Sequence, residues 1–77
     1  MADKQLDARN LTCPLPVLKL RKALRDMAAG ETVEMLATDP GALDDVPHFC
    51  KASGCELLET AAEDANIYRF VIRKGGA

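Results

Sequence analysis

The hydrophobic positions of this chain change period several times, and each change marks an element. Gln5-Leu6-Asp7-Ala8 alternates with period two and predicts a short strand. Over residues 14–29, Val17, Leu20, Leu24, Met27 and Ala28 recur at helical spacing and form one apolar stripe. Gly30 is placed to stop that helix. Thr32 to Thr38 predicts a strand whose mixed faces suit a central, buried position. Asp39-Pro40-Gly41 is a turn, and Leu43, Val46, Phe49 and Cys50 return to helical spacing until Gly54. Pro47 then belongs in the first turn of this second helix, with Asp45 as its N-cap. Glu56 to Ala61 predicts a third strand, and Asp64-Ala65-Asn66 a hairpin turn. Ile67 to Lys74 predicts a fourth strand, with Tyr68, Phe70 and Ile72 on one side and Arg69 and Arg73 on the other.

The predicted order is βαβαββ. Right-handed crossovers put both helices on one face of a four-stranded mixed sheet, an α/β two-layer sandwich. The other sheet face is only partly apolar and is expected to lie open to solvent. A chain of 77 residues makes a single domain, with residues 75–77 expected as a flexible tail. Its 48% hydrophobic and 29% charged residues suit a folded globule, and the apolar runs are too short to span a membrane. Ten basic against twelve acidic residues argue against a sequence-independent nucleic-acid binder. The charge is nevertheless segregated. Lys19, Arg21, Lys22 and Arg25 give the first helix a net +3 with Asp26, whereas Glu56, Glu59, Glu63 and Asp64 give residues 56–66 a net −4.

Three cysteines, Cys13, Cys50 and Cys55, do not make a disulfide framework. The first residues carry no apolar leader, so a reducing cytoplasm is the expected location. The informative thiol is Cys13, in Leu11-Thr12-Cys13-Pro14-Leu15-Pro16. Pro14 and Pro16 bracket a helix start, and Pro14 biases Cys13 towards the extended backbone of an N-cap. A cysteine there is expected to have a lowered pKa, because the helix terminus stabilises a thiolate or a persulfide anion. Used only as a small helix cap, Cys13 would not require both prolines.

The stretch Leu6-Asp7-Ala8-Arg9-Asn10-Leu11-Thr12-Cys13-Pro14-Leu15-Pro16 resembles the opening of the TusA/SirA/YedF sulfur-carrier family, with its C-P-x-P signature. The likeness continues through Thr38-Asp39-Pro40, Asp45-Val46-Pro47, Phe49-Cys50 and Ile72-Arg73-Lys74-Gly75-Gly76. Asn10 stands where the family usually has Gly, and Asn is the side chain that best tolerates positive φ there. Cys55 stands where many members have His or another polar residue. The resemblance implies a cytoplasmic carrier whose Cys13 takes up sulfane sulfur as a persulfide and relays it. Family roles include tRNA 2-thiouridine synthesis, molybdenum-cofactor supply and sulfur oxidation. It implies a cysteine desulfurase or rhodanese as donor, a downstream acceptor protein, no cofactor, and contact with nucleic acid or membrane at most through partners. A monomer is expected.

Other residues are weighed beside this one. Leu15 and Leu18 fall off the buried stripe of the first helix, near Lys19 and Lys22. Such a surface fits partner docking, or else packing against the second helix. Cys50 has the spacing of a core residue. His48, Cys50 and Cys55 are a weak metal signal, and no bound metal is expected. Arg69 and Arg73 suit a solvated face. The rival to sulfur relay is a thiol-based redox or regulatory interaction module, and a selenium-handling relative would share the same geometry.

Overall fold

A computed structural model describes residues 2–75. The elements are β1 (Lys4–Ala8), α1 (Leu15–Arg25), β2 (Thr32–Ala37), α2 (Ala42–Ser53), β3 (Glu56–Asp64) and β4 (Ile67–Arg73). They form one sheet in the order β1-β2-β4-β3, the predicted βαβαββ sandwich. β1 runs parallel to β2, and both β2/β4 and β4/β3 are antiparallel.

The sequence period explains the layering. Alternate residues Val33, Met35 and Ala37 of β2 point to one face, as do Phe70 and Ile72 of β4. Register places Met35 opposite Phe70 and Val33 opposite Ile72. Leu20 and Leu24 of α1, and Ala42, Val46 and Cys50 of α2, close over them as one core. The opposite sheet face is partly polar. There Arg69 makes ion pairs with Glu34, Glu59 and Glu63, at 3.3, 2.7 and 2.8 Å. Arg73 pairs with Glu56 on the same side. The last-strand arginines therefore serve an internal network.

Several boundaries move. α1 stops at Arg25, before residue 29: Asp26 N–H bonds Ala23 O and Met27 N–H bonds Leu24 O, tightening the last turn. Glu31 then accepts the Ala28 N–H at 2.7 Å, leaving Ala28 exposed in a turn that ends at Gly30, φ +90°. Met27 still reaches the core from beyond the helix. α2 begins at Ala42, so Pro47 lies inside it and Asp45 is not its N-cap. The reason is the Asp39-Pro40-Gly41 turn, whose carbonyls accept from Ala42, Leu43, Asp44 and Asp45 and wind the first turn early. Gly54 ends α2 in the left-handed region, φ +78°, as expected of a glycine stop. β3 runs on to Asp64 through two register shifts. Of the expected tail, Gly75 lies so close to the Gly54 carbonyl that a side chain would not fit. Gly76 and Ala77 lie outside the described residues.

Candidate functional site

Cys13 sits between β1 and α1, two residues before the first residue of the helix, and its side chain is exposed. It is not the N-cap. Pro14 takes that position, with φ −98° and ψ 13°, and the Cys13–Pro14 peptide is cis. The first helical bond is Leu18 N–H to Pro14 O, so the helix winds from Pro14, and a turn from Leu15 N–H to Thr12 O precedes it. Pro16 is buried in the first turn. Upstream, Asn10 adopts φ +66°, and its N–H donates to Thr38 Oγ1 at 2.9 Å. That turn brings the Cys13 loop against the end of β2.

Two carboxylates meet Cys13 from the β2–α2 side. Asp39 Oδ2 accepts the Cys13 N–H at 2.8 Å, and Asp45 Oδ2 accepts the Cys13 S–H at 2.9 Å. The consequence reverses the sequence expectation: the Cys13 pKa is raised, not lowered. The hydrogen bond to Asp45 is the main cause, followed by partial desolvation and the charges of Asp45 and Asp39. The helix terminus has few donors to set against them, since Leu15 N–H is spent on Thr12 and Pro14 and Pro16 have none. The cation of the same loop gives no relief either. Arg9 is held by Asp7 at 2.9 Å, which lowers the Asp7 pKa to about 2.

The thiol opens onto a groove of about 310 Å³ between α1 and α2, walled by Pro14, Val17, His48, Phe49 and Ala52. It is mainly apolar, with Asp45 and His48 as its polar edge. Leu15 and Leu18 are 47% and 49% exposed and stand outside the hydrophobic core. Lys22 is exposed beside them, whereas Lys19 Nζ is tied to the Asp7 carbonyl and anchors α1 to β1. Cys50 is 2% exposed in the core and Cys55 half-buried at its margin. Among the described residues no three His, Cys, Asp or Glu side chains group as metal ligands. Asp39 and Asp45 are the site residues that local reading missed. Both lie in stretches quoted for the family likeness, but their contacts cross 26 and 32 residues of chain.

A sequence profile of the family described as Sulfurtransferase TusA matches residues 4–74. The chain is 42% identical over 72 residues to the sulfur carrier protein TusA of Allochromatium vinosum, covering 94% of this chain and 93% of that one. It is 39% identical over 74 residues to the putative sulfur carrier protein YrkI of Bacillus subtilis, covering 96% and 97%. Identity to the putative sulfur carrier protein YrkF of the same organism is 45% over 71 residues. That match covers 92% of this chain but only 38% of YrkF. Among solved structures, a SirA-like protein from Desulfitobacterium hafniense superposes with a TM-score of 0.83 at 25% identity, covering 94% of this chain and 97% of that one.

Proposed function

The chain belongs to the TusA sulfurtransferase family, and on that premise we propose that it is a sulfur carrier whose working atom is Cys13 Sγ. The observation that carries this reading is an exposed thiol at the opening of α1, beside an apolar groove, in a chain whose relatives are named sulfur carriers.

The reaction is a transfer between sulfurs. Cys13 Sγ attacks the outer sulfur of a donor persulfide. The donor S–S bond breaks, its electron pair stays on the donor sulfur, and that sulfur takes up the proton Cys13 gives up. Cys13 then carries the S–S bond, and an acceptor thiol removes the outer sulfur by the same displacement in reverse. No net electrons enter or leave. The chain needs no cofactor for this, only partners on either side in a reducing cytoplasm that keeps Cys13 free.

A cysteine desulfurase or rhodanese fits the donor role, and a downstream sulfur-acceptor protein the other. The exposed Leu15 and Leu18, with Lys22 on the same side of α1 and Lys19 holding that helix to β1, are the proposed docking surface. Cargo destinations such as tRNA 2-thiouridine, molybdenum cofactor or sulfur oxidation depend on which partner docks.

The relay is tested with a chemical acceptor. The chain is incubated with a cysteine desulfurase and cysteine, separated from the enzyme, and treated with cyanide. A carrier yields about one thiocyanate per chain, since cyanide takes the outer sulfur of a persulfide. Thiocyanate no higher than from the chain before loading, repeated with rhodanese and thiosulfate, would favour the interaction-module reading.

A further inference from the structure

We propose that Asp45 is a positioning residue that keeps the unloaded Cys13 in its S–H form, so that a partner loading the chain must first take Asp45 off Sγ. This rests on the reading of Cys13 as the sulfur acceptor.

The geometry is specific. Asp45 Oδ2 lies 2.9 Å from Sγ, across 32 residues of sequence, so the fold itself makes the contact. Asp45 is half-buried in the first turn of α2, where its own N–H is bonded to Gly41 O at 2.9 Å. The Cys13 loop is also pinned through its backbone by Asp39, which accepts the Cys13 N–H at 2.8 Å. The charged or titratable groups on the thiol are therefore Asp45 and His48 from α2 and Asp39 from the β2–α2 turn. Arg9 and Lys19, the basic residues that could have opposed the carboxylates, are both engaged at Asp7. The raised Cys13 pKa has the Asp45 hydrogen bond as its first cause.

A carboxylate is too weak a base to take this proton to itself at neutral pH. Asp45 therefore stabilises the thiol against the thiolate, and the thiolate is the form that reacts with disulfides, peroxides and persulfides. An unpartnered carrier is in this way guarded against adventitious oxidation. Loading reverses the contact. Once Sγ is bonded to a second sulfur it has no proton to donate, and Asp45 then repels a negatively charged outer sulfur, directing it out of the pocket towards an acceptor.

The test reads thiol chemistry without any sulfur donor. The full chain is alkylated with iodoacetamide, an uncharged probe that Asp45 does not steer, from pH 6 to 10. Modification at Cys13 is followed by peptide mass. In the folded chain the rate should rise with a midpoint above that of the same chain in urea. Asp45→Asn should move the midpoint down, with the rate at pH 7 about threefold higher for each unit moved, because more thiolate outweighs its lower intrinsic reactivity. Asp39→Asn should move it less. The proposal is overturned by a folded midpoint at or below that in urea, by an Asp45→Asn profile that superposes on the parent, or by an equal shift in Asp39→Asn. The urea comparison stands even if a variant fails to fold. Since no persulfide is involved, failure of the carrier reading would show in the cyanide assay and not here.

Discussion

The three sulfurs of this chain differ in what surrounds them, and the surroundings decide their chemistry. Cys13 is exposed and hydrogen-bonded to a carboxylate. Cys55 is half-buried, and Cys50 lies in the core, where burial foremost, with the Cys55 thiol adding a smaller effect, pushes its pKa up to about 11. This raised value has a stability consequence. Between the ordinary value of 9.0 and about 11, the unfolded chain ionises Cys50 while the folded chain does not. The contribution is complete below pH 9 and is lost as pH climbs through that window. Urea titrations at pH 8 and pH 11 should show the parent losing about 1–2 kcal/mol more than Cys50→Ala. Equal losses would contradict a buried, neutral Cys50. At this scale the sequence was partly legible. Asn10 could be read, because positive φ is a property of one residue and its side chain, and it sits at +66°. The state of Cys13 could not, because the controlling carboxylate approaches through space from another helix.

Elements were legible in kind and order more than in extent. Hydrophobic period gives the type of α1, β2, α2 and β4. Their ends depend on turn hydrogen bonds, such as Glu31 taking the Ala28 N–H, that no period encodes. Pro47 is the instructive case. Its ring was expected in a first turn, yet α2 starts at Ala42 and carries Pro47 inside, where Leu43 O is left without its helical donor. Pro47→Ala should restore that bond and raise stability by about 1–2 kcal/mol in urea unfolding, allowing for some lost packing of the ring. A variant no more stable than the parent would mean that ring packing outweighs the missing bond. α1 offers a different test, because Leu18 lies half exposed on it and outside the core. Leu18→Glu should leave the fold and Cys13 alkylation unchanged while slowing sulfur loading by a desulfurase about tenfold, the effect of losing one apolar anchor at an interface. Undiminished loading would remove Leu18 from the docking surface.

On the scale of the whole molecule, charge and sheet edges sort the surfaces by use. Lys22 and Arg25 of α1 follow Leu18 at helical spacing and are exposed like it, while Glu56, Glu59 and Glu63 of β3 meet Arg73 and Arg69 across the open sheet face. β3 is an edge strand, and its register shifts and its row of acidic side chains discourage pairing with a second copy. This sorting of surfaces fits the proposed single-thiol relay, with one face offered to partners and the other occupied by its own ion pairs. The most direct measurement of that claim is intact-protein mass after incubation with a cysteine desulfurase and cysteine, for the parent and for Cys13→Ser, Cys50→Ser and Cys55→Ser. The account predicts a gain of one sulfur atom, removed by a reducing thiol, in every chain except Cys13→Ser. A gain that survives in Cys13→Ser, or one lost in Cys55→Ser instead, would contradict it.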